Sequence, residues 1–240
     1  MDIQDAVMVV TGASSGVGEA TARAAAAQGA RLVLAARREG RLADLARELG
    51  TAIAVPCDVT DPAQVTTLVR TAIEAHGRVD VLVNNAGQGL HATVERTGLD
   101  DFRALLELNL VAPLATMQAV LPVMRDQGSG SIVNVSSGTT LADAPSTGAY
   151  VASKIGLERL TAITRAELAG TGITVSTVIP FATSTEFVTS LRAGRTDAET
   201  ELAGVAFDPP QRVAEAILDL VRTGAPQRDL VPAAYGGSGQ

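Results

Sequence analysis

Ala6 to Val10 is a short, wholly apolar run that passes directly into Thr-Gly-Ala-Ser-Ser-Gly-Val-Gly, Thr11 to Gly18, and this junction most restricts what the chain can become. A strand without polar alternation is one buried on both faces, as in a parallel sheet. Glu19 to Gln28 then reads as a helix. Glycine at 12, 16 and 18 lets the backbone turn tightly and approach a pyrophosphate, whose charge is met by N–H groups at the helix N-terminus. The spacing is Gly-x-x-x-Gly-x-Gly. It is the strand before it and the helix after it that separate a dinucleotide loop from an ordinary glycine-rich turn.

The pattern then repeats. Arg31 to Ala36 is a second strand ending in Arg37-Arg38, Gly40 to Leu49 an amphipathic helix, and Ala52 to Val55 a third strand with Cys57-Asp58-Val59 as its exit. In such a unit an acid after the second strand binds the ribose 2′-OH, whereas an arginine accommodates a 2′-phosphate. Ala36 followed by Arg37 therefore points to NADP rather than NAD. Asp58 has two open readings, acceptor of an adenine amino group or turn aspartate. Thr60-Asp61-Pro62 starts a helix that runs to His76-Gly77, and Val79 to Val83 is a fourth strand leading into Asn84-Asn85-Ala86-Gly87. The small pair Ala86-Gly87 leaves room for a cofactor, and the asparagines can tie neighbouring strands together. This alternation predicts an α/β, doubly wound parallel sheet of Rossmann type, a single domain over residues 1–240 with helices on both faces.

Ser131 to Lys154 concentrates the chemistry. A buried strand (131–135), a small-residue loop and a helix opening near Ala149 put Ser137 at the strand's exit, and Tyr150 and Lys154 one above the other on a helix face. Lys154 is the single lysine of the chain, against 18 arginines, and Tyr150 is one of two tyrosines. A compact three-donor ammonium is something a planar guanidinium cannot imitate. A free tyrosine, with a pKa of roughly 10, is a poor acid–base catalyst at neutral pH. Lys154 one turn away is expected to lower that value.

The remaining segments are less specific. Leu99 to Met124 has a helical period interrupted by Pro113 and Pro122, predicting a break between two helices and a carbonyl at Asn109 freed to hold a water. The helix 149–169 precedes a strand, Ile173 to Ile179. Residues 181–207 lack a period and suit a lid, and a helix (Gln211 to Val221) and a short strand near Leu230-Val231 complete the sheet. The net charge of −7, with no arginine stripe, excludes a nucleic-acid or anionic-membrane partner, leaving small molecules and copies of the chain itself. His76 and His91 are too isolated for a metal site and read as surface or cap residues, so no metal is expected. Cys57 alone forbids an intrachain disulfide, and with no basic segment before the first apolar run and no 18-residue uncharged apolar span, a cytoplasmic location is expected.

With these residues in view the whole chain resembles the short-chain dehydrogenase/reductase family: T-G-A-S-S-G-V-G at 11–18, C-D-V at 57–59, N-N-A-G at 84–87, Asn109, S-S at 136–137 and Y-V-A-S-K at 150–154 match its motifs in order. The resemblance implies Asn109, Ser137, Tyr150 and Lys154 as a catalytic tetrad. It also implies cofactor contacts from Gly12, Ser14, Ser15, Gly16, Val17, Gly18, Arg37, Asp58, Val59, Asn85, Ala86, Gly87, Tyr150, Lys154 and Thr185. It implies hydride transfer between NADP and a small carbonyl or alcohol, with Tyr150 as acid/base, and a homodimer or homotetramer built through the helices around 100–125 and 150–168. A 3-ketoacyl thioester reductase and a catalytically silent NADP sensor are the alternatives. Two positions depart from the family pattern: Phe181 stands where a glycine is common, and Ser15 where some NADP-dependent members are basic.

Overall fold

A computed structural model describes residues 1–238. The first half alternates β1 (Val7–Thr11), α1 (Gly16–Ala26), β2 (Arg31–Ala36), α2 (Glu39–Leu49), β3 (Ala52–Pro56), α3 (Pro62–His76) and β4 (Val81–Asn84). The second adds α4 (Leu99–Leu106), α5 (Ala112–Gln127), β5 (Gly130–Val135), α6 (Gly148–Glu167), β6 (Ile173–Ile179), α7 (Arg195–Glu201), α8 (Pro210–Thr223) and β7 (Gln227–Asp229). All seven strands are parallel, in the order β3-β2-β1-β4-β5-β6-β7. The order reverses between β1 and β4, and the crevice of such a sheet opens at the carboxyl ends of those strands.

Alternate residues of each strand enter opposite cores. Met8, Val10, Leu32 and Leu34 pack with α1, α2 and α8, while Val9, Val33 and Ala35 face α3 and α5. That is why these strands read as unbroken apolar runs rather than alternating ones. Leu32 and Leu34 are fully buried, each stabilising the fold by about 1.5–3 kcal/mol. Local chemistry sets the boundaries: Asp61 caps α3 by accepting from Ala63 N at 2.9 Å, Pro62 fills its first turn, and Gly77 closes it at φ 73°.

The expected break at Pro113 is instead one π turn, Glu107–Val111, which joins α4 to α5 without ending the helix, and Pro122 lies inside α5. Widening one turn absorbs the missing donor at less cost than unwinding two. By length and hydropathy the continuous helix Leu99–Gln127 matches a membrane span, yet it buries Met117, Val120 and Met124 against the sheet and Asn109 entirely. The last strand is Gln227–Asp229, earlier than expected at Leu230-Val231. It is polar and pairs only with β6, so no apolar run marks it. Part of 181–207 is ordered as α7, whose residues are polar except for the buried Ala198.

Candidate active site

The glycine loop is shaped by what its glycines avoid. At Gly12, φ 65°, a β-carbon would lie 2.8 Å from Asn85 Nδ2 and 2.9 Å from Ala86 Cα. At Gly16, φ 57°, it would meet the Thr185 methyl at 3.0 Å. Asn85 fixes the loop to β1, donating from Nδ2 to Thr11 O at 2.9 Å, while Thr11 Oγ1 accepts from Asn85 N and Ala86 N, both at 3.0 Å. A cavity of about 450 Å³ opens beside it, bounded in part by Ser15, Gly16, Arg41, Thr185 and Glu186. Of the two arginines after β2, Arg38 is the one that turns to this loop: its Nε donates to Ser14 Oγ at 3.1 Å, and a second nitrogen donates to Ser15 Oγ. Arg37 is exposed and makes no side-chain hydrogen bond among the described residues.

Asp58 is held as a turn residue, its Oδ1 accepting from Thr60 N at 3.0 Å and Thr60 Oγ1 at 2.7 Å; Val59 is buried among the residues packed on α3, and Val17 packs against the α1 core. Asn84 and Asn134 join β4 to β5 through a 2.9 Å amide bond, extended by Thr116 to Asn84 and by Asn134 to Thr161. Every member of this network is buried, so its bonds are made away from water, where an unpaired amide is costly. It fixes β4 against β5 and α6, the elements that carry Gly87 and Lys154.

Asn109, Ser137, Tyr150 and Lys154 converge. Gly87 lies between two of them: a β-carbon there would be 3.2 Å from Asn109 Oδ1 and 3.4 Å from Lys154 Nζ. The Asn109 side chain, buried in the π turn, accepts from Gln88 N at 3.0 Å and donates to Gln88 O at 2.9 Å and Ser153 Oγ at 3.1 Å. It therefore ties the loop after β4 to α6, a bracing role that spacing gave no sign of. Ser137 Oγ accepts from Thr139 N at 3.3 Å and lies 2.9 Å from Thr139 Oγ1. Lys154 Nζ donates to Val135 O at 2.9 Å. Burial lowers the Lys154 pKa to about 8, with the Glu158 carboxylate opposing.

One expectation meets an opposing effect here. Burial pushes the Tyr150 phenol up to about 12, with Ser137 opposing, so in this structure the phenol stands above its ordinary value rather than below it. Desolvation penalises the phenolate, while the ammonium is turned onto the Val135 carbonyl.

Residues 181–207 close over this floor. Phe187 packs on Tyr150 with ring centroids 5.6 Å apart, and Phe181 packs on Tyr235 at 4.9 Å. Thus four of the six aromatic residues gather around the site. The segment is fastened at several points: Glu186 pairs with Arg38 at 2.6 Å and Arg41 at 2.7 Å, Gln88 Nε2 donates to Ser190 O at 2.7 Å, and Arg192 pairs with Asp101 at 3.0 Å. His91, expected at the surface, is buried under it, 3.3 Å from Glu201 of α7. Its isolation in sequence carried no information about burial.

A glycine-lined turn at a helix N-terminus, at the switch point of a parallel sheet, with Ser137, Tyr150 and Lys154 beyond it, defines a nucleotide-binding oxidoreductase fold. A family model described as short chain dehydrogenase matches residues 6–196, and the chain belongs to that family. It is similar to a Staphylococcus epidermidis protein named an uncharacterized oxidoreductase, 35% identical over 179 residues, 74% of this chain and 78% of that one. Its fold matches a short chain dehydrogenase/reductase from Burkholderia phymatum in complex with NAD (TM-score 0.91, 28% identity, 97% and 91% of the two chains). It also matches a 3-ketoacyl-(acyl-carrier-protein) reductase from Brucella melitensis complexed with NADH (TM-score 0.85, 27% identity, 95% and 98%). The fold implies an NAD(P) cofactor, and the loop fits one: Gly12 and Gly16 hold a positive-φ turn with no room for a β-carbon, and that turn opens at the N-terminus of α1, where backbone N–H groups meet a pyrophosphate.

Proposed function

We propose that the protein is an NADP-dependent oxidoreductase that reduces a ketone or aldehyde to the alcohol, or runs the reverse, with Tyr150 as acid/base. The observation that carries this reading is a buried phenol one helical turn from the buried ammonium of Lys154 on α6, with Ser137 acting on the phenol from the exit of β5. The bound cofactor supplies the hydride. A phenol pushed up to about 12 is fully protonated at neutral pH, as a proton donor to a carbonyl oxygen must be. Ser137 holds that oxygen with a hydrogen bond. The positive charge of Lys154 stabilises the phenolate that proton donation leaves, and Lys154 also holds the ribose hydroxyls. Asn109, whose carbonyl has no donor in Pro113, holds a water through which the proton is replaced.

The preference for NADP rests on the absence of an acid at Ala36 and on the cations beside the loop, Arg37, Arg38 and Arg41. Residues 181–207 act as the lid, with Thr185 on the nicotinamide side and the apolar Leu90, Phe181 and Phe187 toward the substrate. Purified protein titrated with NADPH and NADH, then assayed on ketones, aldehydes and 3-ketoacyl thioesters, tests the reading. Tyr150→Phe is expected to abolish turnover while leaving NADPH binding largely intact; retained activity sinks the role of Tyr150. The best substrate chooses between small carbonyls and the thioesters that the Brucella neighbour's name suggests, and binding with no turnover on the whole panel favours the silent sensor.

A further inference from the structure

Glu158 lies four residues after Lys154 on α6, on the same face and one turn on. Its Oε1 accepts from Ser136 Oγ at 2.5 Å and lies 2.8 Å from Thr140 Oγ1. Those two residues flank Ser137, and Thr140 Oγ1 is also 2.8 Å from the Ser137 carbonyl. One partly buried carboxylate thus pins both sides of the turn that presents the Ser137 hydroxyl. We propose that Glu158 is a positioning residue, bracing the Ser137 turn and providing the counter-charge that keeps Lys154 an ammonium. This rests on the reading of Ser137, Tyr150 and Lys154 as the reacting groups.

The counter-charge role follows from what surrounds Lys154. Its fellow residues on α6 include Tyr150, neutral at working pH, and Glu158. β5, β6 and the turn Gly138–Leu141 carry no charged side chain. The loop after β4 offers Gly87, and the π turn offers the amide of Asn109. Glu107 of that turn and Asp100, Asp101 and Arg103 of α4 lie toward solvent. Burial drives Lys154 toward the neutral amine, and the Glu158 carboxylate is the one charge that opposes it. A neutral Lys154 would leave the Tyr150 phenolate unsupported.

Because Lys154 is the only lysine, it can be titrated directly. In the full chain labelled with [¹³Cε]lysine and carrying no added lysine, the single resonance gives the Lys154 midpoint without any need for turnover. Glu158→Gln keeps an oxygen acceptor for Ser136 and Thr140 and removes only the charge. It is expected to move the midpoint down by about one pH unit and the alkaline limb of carbonyl reduction down with it; an unmoved midpoint overturns the counter-charge. Glu158→Ala removes the acceptor as well and is expected to lower kcat about tenfold beyond Glu158→Gln, with the cofactor KM unchanged. Equal kcat in the two overturns the bracing. If Glu158→Ala does not fold, Glu158→Asp, which keeps the charge and withdraws the acceptor, should lose kcat while holding the wild-type midpoint; wild-type kcat there overturns the bracing too. A wild-type protein silent on every carbonyl defeats the reductase reading, while the lysine titration still decides the counter-charge.

Discussion

Arg38 reaches back across the glycine loop to Ser14, its Nε donating to Ser14 Oγ at 3.1 Å, and with Arg41 it grips Glu186 of the segment above. Two guanidinium groups thus converge on one carboxylate at the rim of the cavity beside the loop. A 2′-phosphate seeks the same geometry, since planar guanidinium donors pair with both anions.

Arg38→Ala is therefore expected to weaken NADPH binding roughly 10- to 100-fold, the loss typical of a hydrogen bond to a charged group, and to leave NADH binding unchanged. Arg37→Ala should have the smaller effect. Fluorescence titration with both cofactors checks this, and equal losses for NADPH and NADH would show that Arg38 only shapes the loop.

The buried ammonium of Lys154 carries a stability cost that has a definite pH signature. Its pKa falls from 10.5 to about 8 on burial, so the unfolded chain keeps a proton that the folded chain gives up between those values. The depressed pKa makes stability greatest above 10.5 and reduces it as pH falls through 8, a cost of about 3 kcal/mol at neutral pH. Lys154→Met should raise the melting temperature at pH 7, lose that advantage above pH 10.5 and abolish turnover. Comparing the two proteins at each pH cancels the opposite effect of Tyr150, whose raised pKa costs stability as pH climbs from 10 toward 12. A lower melting point at pH 7 would show that the bond to Val135 outweighs desolvation.

Much of this was legible because burial writes itself into sequence. β1 and β2 show as apolar runs because both faces are covered, and Asp61-Pro62 and Gly77 announce α3 through backbone chemistry. What could not be read depends on direction or on tertiary contact. Arg37 and Arg38 are adjacent and chemically identical, and only the path of the chain leaving β2 decides which faces Ser14. β7 is polar and α7 offers one buried side chain, so neither has a period to detect. Pro113 signals a lost donor, but whether the helix breaks or widens depends on Asn109 being anchored to Gln88 and Ser153. Spacing alone puts Tyr150 and Lys154 one turn apart on α6, whereas the balance of burial against charge needs the three-dimensional surroundings.

Asn109 makes three side-chain hydrogen bonds, to Gln88 N, Gln88 O and Ser153 Oγ. Asn109→Ala would leave the Gln88 N–H and carbonyl without partners in a part-buried setting, at a cost of about 2 kcal/mol. For a chain of this length that lowers the melting temperature by roughly 4–8 °C. Thermal unfolding measures it, and an unchanged melting point would mean that water takes over these bonds. Because the loop after β4 also positions Gly87, kcat should fall in the same variant.

Assembly gives the last prediction. Val111 at the end of the π turn, Leu114 in the first turn of α5, and Ile155 and Ile163 on α6 are 43%, 37%, 48% and 45% exposed. Leu114, Ile155 and Ile163 lie on the two helices through which the proposed homodimer or homotetramer would form, and α6 packs beside the π turn that ends at Val111 and leads into α5. An apolar surface of this kind is stabilised by removal from water, at about 25 cal/mol per Å². A buried carboxylate without a partner would strongly oppose that. Ile155→Asp is expected to shift the protein to the monomer in light scattering while its circular dichroism stays native. Ile73→Asp, on α3 and 37% exposed, serves as the control that should leave the mass unchanged. A wild-type protein that is already monomeric across the micromolar range, or an Ile155→Asp variant of unaltered mass, would place the interface elsewhere or remove it.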